Sequence, residues 1–428
     1  MLAILPAVVQ PIFGLGLSAS MGPSYFAADR FENKSAVVST AFILSFISGL
    51  LIVAIAVTLP VAIGELINLS AENAPLVRLT LFGCAATILS GVLIQRVQFE
   101  KKVILFTLVT VLVSLSATVV SGIMIIGYSW GALALVLGQF VANILTLLIF
   151  LFISLKDKIR LKYNTQIAWQ LLKLGVVLIP SFCFLFIIQQ SNKYILQRYY
   201  DLDAVGLYSV GYNLGVTISI LVSGMGTAWY PFFMSYINKQ SEAPPIFSKV
   251  FTHYFLGGGA LCILYFIWAQ PALFLLTDSK FHEAASVVGL TALAHFFLGL
   301  FSLFLPGIYY NNHVGHISSL QGLAAIASII SSYLLIPTFG ITGAAVSLCV
   351  ANLLMVGMLC LWNYFHKNSY PKITYQWRKI YIFIIIVLSV LALDEISITS
   401  SLTSSIVKAM ALSLILVLST IYLLKKSN

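Results

Sequence analysis

The segment with the most suggestive chemistry is Gln189-Gln-Ser-Asn-Lys-Tyr-Ile-Leu-Gln-Arg198, where two cations lie five residues apart at the end of an apolar run. Gln190, Lys193 and Gln197 recur at i, i+3 and i+7, a spacing that makes one polar face on a helix. Lys193 offers three donors and a positive charge to an anion, and Arg198 adds a second cation beside it. The rival reading is snorkelling, in which the aliphatic stem lies in lipid and the charge reaches the headgroups. Arg30, closing Tyr25-Phe-Ala-Ala-Asp-Arg30, is a third candidate cation, with a plain membrane anchor as its alternative. Arg78 and Lys408 read as snorkelling side chains. His253 and His295 lie within apolar stretches. Either could change charge near neutral pH, but a hydrogen-bonded core histidine is the simpler reading. His313 and His316 flank a turn with Asn311 and Asn312, and nothing nearby completes a metal ligand set.

No P-loop, Gly-rich nucleotide fingerprint, Ser/His/Asp set or metal motif occurs in the chain. ATP hydrolysis, a bound cofactor and enzymatic chemistry are therefore not expected. The five cysteines (Cys84, Cys183, Cys262, Cys349 and Cys360) each sit in an apolar run at no ligand spacing and read as small packing residues. Tyr199, Tyr200, Tyr208, Tyr212, Trp229 and Tyr230 cluster around one helix and its ends. Such rings stack on sugars, but an interfacial belt is the default for them.

The elements that must position these residues are membrane spans. Of 428 residues, 60% are hydrophobic and only 8% charged, whereas a soluble domain carries about 25% charged residues. A span needs about 20 apolar residues. Thirteen runs are found: Leu2–Ser20, Val38–Ile63, Leu76–Ile94, Val103–Ile126, Gly131–Leu155, Trp169–Gln190, Gly206–Phe233, Val250–Leu276, Ala284–Tyr310, Ile317–Ile336, Gly340–Trp362, Ile380–Leu393 and Ile406–Leu424. The first contains Pro6 and Pro11 and is short. The loops leave no room for a soluble catalytic domain.

The net charge of +10 does not point to nucleic acid, because the basic residues lie in short loops between spans. With alternate loops assigned to opposite sides, 18 of the 23 Lys and Arg residues fall on one side, among them Arg30, Arg96, Lys102, Lys156, Lys239 and Lys379. Arg78, Lys193, Arg198, Lys280 and Lys408 fall on or near the other. The positive-inside rule makes the basic side cytoplasmic. It predicts an outside N-terminus and a cytoplasmic C-terminus.

An internal repeat accompanies this bias. Gly131-Ala-Leu-Ala-Leu-Val-Leu-Gly-Gln-Phe-Val-Ala-Asn143 aligns with Gly340-Ile-Thr-Gly-Ala-Ala-Val-Ser-Leu-Cys-Val-Ala-Asn352, at an offset of 209 residues. At that offset Met21–Pro60 overlays Tyr230–Pro271 with small gaps. The expected plan is two parallel six-helix lobes, residues 1–168 and 169–368, followed by two additional C-terminal helices in 369–428. Parallel repeats with a site at their interface are a common transporter arrangement. In this register the helix ending near Arg198 has no partner in the first lobe, which predicts a further helix before Met1.

The stretch Asp203-Ala-Val-Gly-Leu-Tyr-Ser-Val-Gly-Tyr-Asn213, running on to Ala228-Trp-Tyr-Pro-Phe-Phe233, resembles the G-x-Y-S-x-x-Y helix of polysaccharide and O-antigen flippases. These belong to the multidrug/oligosaccharidyl-lipid/polysaccharide exporter (MOP) superfamily. Leu335-Ile-Pro-Thr-Phe-Gly-Ile-Thr-Gly-Ala-Ala345 is similar to a later segment of the same proteins, and the likeness extends from Gly14 to Trp362. The resemblance implies twelve or fourteen helices in two lobes around a V-shaped central cavity. Thirteen runs with one further helix would make fourteen. Similar proteins often carry Asp-Arg or Asp-Lys where this chain has Asn192-Lys193, and an Arg near the position of Arg30.

The resemblance implies a bacterial inner-membrane flippase that carries undecaprenyl-diphosphate-linked repeat units to the outer leaflet by alternating access, for surface polysaccharide assembly. Its expected partners are the lipid-linked substrate, membrane lipids, and the polysaccharide polymerase and chain-length machinery. Lys193, Arg198, Arg30, Gln190 and Gln197 are the expected cavity residues. Two rival functions differ in sequence. A drug/cation antiporter of the same superfamily favours acids inside spans, and none lies well inside a run. A membrane polymerase carries a large outer loop, and the longest here is only Ser191–Val205.

Overall fold

The computed structural model describes residues 4–27, 31–66, 69–100, 102–157, 162–237, 239, 241–311, 313–365, 373, 375–396 and 402–425. Among these residues the chain is all-helical, and ten helical stretches are long and apolar enough to cross a membrane. These account for the expected runs once four are treated separately. The tenth and eleventh runs fuse into a single stretch of 51 residues, Gly315–Phe365, bent at Gly340. The first run is a broken pair of short helices, and the twelfth is the 20-residue helix Trp377–Ile396. The chain is a multi-pass membrane protein. It divides into two compact units, Met1–Cys183 and Phe184–Asn428.

The first unit contains α1 (Ile4–Phe13), α2 (Leu17–Ala27), α3 (Phe31–Thr58), α4 (Pro60–Leu66), α5 (Ala74–Phe99), α6 (Val103–Tyr128), α7 (Gly131–Lys156) and the start of α8 (Thr165–Tyr199). Pro6 and Pro11 do not break the first element. The break follows them, where Leu15 and Gly16 take φ of 50° and 57° and α2 restarts the helix. Gly16 is required twice over, because a Cβ there would come within 2.5 Å of the Gly175 carbonyl oxygen of α8. α5 sits centrally, packed by α3 and α7, and α6 packs along α7. Small and branched side chains fill the seams: Ile52, Ala56, Leu81 and Ala85 in one cluster, and Leu93, Val97, Val113 and Phe150 in another.

The second unit holds the rest of α8, then α9 (Leu202–Gly215) and α10 (Ser219–Met234), which join through one tight turn into a single rod. α11 (Ala243–His253) and α12 (Gly259–Leu276) join through a π-helical segment, Tyr254–Gly258. α13 (Ala285–Phe304), α14 (Pro306–Tyr310), α15 (Gly315–Phe365), α16 (Trp377–Ile396) and α17 (Leu402–Lys425) follow. Here α13 is central, packed by α9, α12 and α15. Gly211 and Gly215 let α9 lie directly on α13, since a Cβ at either would come within 2.5 Å of the carbonyl oxygen of Ala284 or Val288. In lipid, such small-residue seams replace the hydrophobic drive that joins helices in water.

The repeat is visible as geometry. Gly131 has φ of 51° and Gly340 has φ of 54°, a conformation that L side chains rarely adopt. Each marks the corner between an apolar helix and the helix running on to Asn143 or Asn352. The aligned glycines thus do the same backbone work in both units.

Candidate functional site

Within the second unit, α8, α9 and α13 bring Lys193, Tyr212 and His295 together. Lys193 is half-buried, and its Nζ stands 4.7 Å from the centroid of the Tyr212 ring. The same ring meets His295 edge-on at 6.0 Å and Tyr208 at 5.9 Å. His295 Nδ1 lies 3.0 Å from the Thr291 carbonyl oxygen. A carbonyl only accepts, so Nδ1 carries the proton and Nε2 is left as the basic atom. Among the described residues Lys193 makes no ion pair. Its charge rests on a ring face, worth about 0.5–2 kcal/mol depending on desolvation, and stays available to an anion.

Asn192, beside Lys193, is fully buried. Its Nδ2 donates to the Ala344 carbonyl at 2.8 Å, and its Oδ1 accepts from Ser332 Oγ at 2.8 Å. Ser332 and Ala344 lie on opposite sides of the Gly340 corner, so one amide ties α8 to both limbs of α15. This accounts for the residue found where similar proteins often have an acid. A carboxylate would lose the donor and face the Ala344 carbonyl with like polarity.

The other sequence candidates are less gathered. Gln190 is half-buried on α8, while Gln197 and Arg198 are exposed in its last turns. Arg30 lies outside the described residues. His253 is exposed, and its ring nitrogen Nδ1 bonds the Lys249 carbonyl at 2.7 Å. His313 and His316 meet edge-on beside Trp362, and no group of three metal-ligating side chains occurs among the described residues. Arg78 Nε donates to the Ala56 carbonyl at 3.3 Å. Lys408 Nζ pairs with the Asp394 carboxylate at 3.0 Å. The aromatic cluster is also more than a belt. Trp229, Phe232, Phe233 and Phe247 pack into one another, and Trp229 Nε1 donates to the Ser302 carbonyl at 3.0 Å.

Sequence reasoning placed Arg96 among the cytoplasmic anchors, but the structure makes it the hub of a charge cluster in the first unit. Its side chain is 4% exposed. Nε meets Glu100 at 2.7 Å and Nη2 meets Asp157 at 2.7 Å. Lys102 bridges the same two acids at 2.8 and 3.1 Å. The hydrogen bond from Lys102 to Glu100 raises the Lys102 pKa above its ordinary value against a smaller desolvation effect. For Asp157, desolvation pushes upward, but Lys102 and Arg96 together hold the carboxyl below its ordinary value. The signal was half present in the sequence, since Glu100 lies at i+4 from Arg96. Asp157 comes from a different helix end.

The fold is one known from solved structures. A mutant MATE transporter superposes with TM-score 0.71 at 15% identity over 86% of each chain. A mutant of the Vibrio cholerae MATE transporter VcmN gives 0.69 at 14% identity over 86% of this chain and 87% of that one. A multidrug resistance MATE family transporter of the MOP superfamily, in its outward-facing conformation, gives 0.68 at 17% identity over 86% and 87%. At these identities the likeness is one of fold. The family follows from sequence: residues 12–237, more than half of the chain, match the polysaccharide biosynthesis protein family, and the chain belongs to it. No curated protein matches the chain.

Proposed function

We propose that this protein is a secondary transporter of the MOP superfamily that moves undecaprenyl-diphosphate-linked oligosaccharide units from the cytoplasmic to the outer leaflet by alternating access. The membrane is then the bacterial inner membrane, with the basic loops and the C-terminus cytoplasmic. The carrying observation is Lys193, a half-buried cation inside a span with no ion pair among the described residues. A charge held within a spanning helix is costly, so one kept there usually faces a partner or serves a pathway. A diphosphate needs such a partner, and a charge-assisted hydrogen bond in a low-dielectric site exceeds its worth in water. Family membership supports the substrate class. Drug/cation exchange is less well served, since Asp394, near the end of α16, is paired with Lys408.

The test uses purified protein in liposomes carrying a fluorescent polyprenyl-diphosphate oligosaccharide, with leaflet position read by a membrane-impermeant quencher. Protein-dependent flipping without ATP is expected. Lys193→Ala should slow it at least tenfold, while Lys193→Arg keeps part of the rate because the charge survives and the donor geometry changes. Wild-type flipping by well-inserted Lys193→Ala would remove Lys193 from the site. Absence of flipping together with efflux of a cationic dye would replace this reading with drug transport.

A further inference from the structure

The first unit contains a cavity of about 460 Å³ lined by α1, α5 and α7. Its polar lining is Gln10, Thr80, Thr87, Gln139 and Asn143, and Phe140 supplies an aromatic wall. Among the described residues no charged side chain lines it. A phosphate would find no counter-charge there, and a metal cation no carboxylate.

The hydrogen bonds already made decide what remains on offer. Thr80 Oγ1 donates to the Leu76 carbonyl at 2.8 Å, and Thr87 Oγ1 to the Gly83 carbonyl at 2.9 Å. Each hydroxyl has spent its proton and keeps lone pairs. Gln139 Nε2 donates to Asn143 Oδ1 at 3.0 Å, and Asn143 Nδ2 donates to the Gly83 carbonyl at 3.3 Å. That relay fixes both amides and leaves Gln139 Oε1 as an acceptor and the second N–H of each amide as a donor. The lining therefore offers acceptors together with amide donors, which suits a neutral ligand bearing several hydroxyls, each of them both donor and acceptor. An aromatic wall beside such groups suits a ring with one C–H face and a hydroxylated edge.

The cavity is not a by-product of the fold, because the repeat does not reproduce its chemistry. In the second unit Leu348, fully buried, stands where the first has Gln139, and Cys349 stands where it has Phe140. Asn352, the counterpart of Asn143, turns back to its own helix at the Leu348 carbonyl, 2.9 Å away.

We propose that this cavity is a subsite for one uncharged sugar ring of the transported glycan, a proposal that rests on the lipid-linked oligosaccharide reading above.

The full chain in lipid nanodiscs, free of maltoside detergents that would compete, is examined by saturation-transfer NMR. The probes are methyl α-glucopyranoside, methyl β-galactopyranoside, methyl N-acetyl-β-glucosaminide, the anionic methyl β-glucuronide, and farnesyl diphosphate. At least one neutral glycoside should receive saturation, strongest at ring C–H protons, and the glucuronide none. Gln139→Leu should reduce that signal at least fivefold. The shape-conserving Thr87→Val should do so about threefold, and it keeps the test open if the first variant folds poorly. Lys193→Ala should leave the glycoside signal unchanged and abolish the farnesyl diphosphate signal. Absence of glycoside saturation, or saturation indifferent to both cavity variants, overturns the subsite. If farnesyl diphosphate still responds to Lys193→Ala in that case, only the subsite falls. Glycoside binding without diphosphate binding would instead overturn the proposed role of Lys193.

Discussion

Replacing Asn192 by Asp and by Leu separates what its amide does from what an acid at that position could do. The amide is fully buried and makes two bonds at 2.8 Å, one as donor and one as acceptor. Interhelical hydrogen bonds in membrane proteins average about 0.6 kcal/mol and reach about 1.7. Asn192→Leu forfeits both, but the Ala344 carbonyl keeps its helical environment and the Ser332 hydroxyl can turn to its own backbone. The expected loss is about 1–2 kcal/mol. Asn192→Asp keeps the Ser332 bond but sets an anion against the Ala344 carbonyl. It also buries a charge costing about 2.5–3.5 kcal/mol. The two effects together place the loss near 3–4 kcal/mol, so the isosteric acid should be worse than the non-isosteric Leu. Equilibrium unfolding in detergent mixed with increasing SDS measures both. As pH falls, protonation restores a donor to the Asp variant, so its gap to wild type should narrow while the Leu gap stays constant. An Asp variant as stable as wild type at neutral pH would refute the amide-bridge argument and show Lys193 free to swing into an ion pair.

Three further predictions rest on other parts of the fold. Arg96→Ala leaves Glu100 and Asp157 to Lys102 alone among the described residues. Removing one partner of a buried pair costs about 3–5 kcal/mol, and the part-exposed acids with their remaining Lys102 partner reduce this to about 1–2 kcal/mol in the same SDS titration. The contribution of Asp157 is complete above its ordinary carboxylate pKa and lost as pH falls through the depressed one. That of Lys102 is complete below its ordinary value and lost as pH rises through the raised one. The wild-type advantage over Arg96→Ala should therefore stay flat from about pH 5 to pH 9; a slope in that window would count against the cluster. Gly215→Leu should yield little monodisperse protein by fluorescence-detected size exclusion, because even its Cβ would meet the Val288 carbonyl oxygen at 2.4 Å. Normal yield would show that α9 does not need to lie on α13. Reporter fusions after Asn164 and Lys239 should report cytoplasm and fusions after Glu72 and Asp278 the outside; a single shared side would overturn the orientation.

Apolar length was enough to locate the spans, because lipid demands an uninterrupted helix and leaves few alternatives. It could not show that Gly315–Phe365 bends without a loop, since a glycine corner costs no polar residues. Pro6 and Pro11 suggested a weak first element, but the break sits at Leu15 and Gly16, where Gly175 on a distant helix needs room. Lys193 stood out as a charge at the end of an apolar run, on a polar helical face. Tyr212 and His295 did not, because aromatic residues and histidines inside spans look the same whether they line a site or fill a seam. Asn192 was read only as a missing acid, and its two partners come from residues far along the chain. The polar, uncharged cavity went unread because Gln139 and Asn143 are uncharged and lie on a repeat helix that first drew notice for its Gly and Ala content.

The π-helical segment Tyr254–Gly258 amounts to one extra residue in a rod that would otherwise keep a single phase. Above it, Phe251 of α11 lies against Phe304 and Tyr375. Below it, Ala260, Ile263 and Ile267 of α12 form a stripe in one core with Phe383, Leu412 and Leu416 of α16 and α17. At 3.6 residues per turn, one residue is about 100° of rotation. The bulge therefore lets one span address two sets of neighbours that a uniform helix would present on misaligned faces. Deleting Gly257 would restore a regular helix and turn one half by that angle relative to the other, carrying Phe251 off Tyr375 or the stripe off α17. The two C-terminal helices are thus keyed to the rest of their unit by a phase offset, and a homologue without the extra residue would have to seat them elsewhere or do without them.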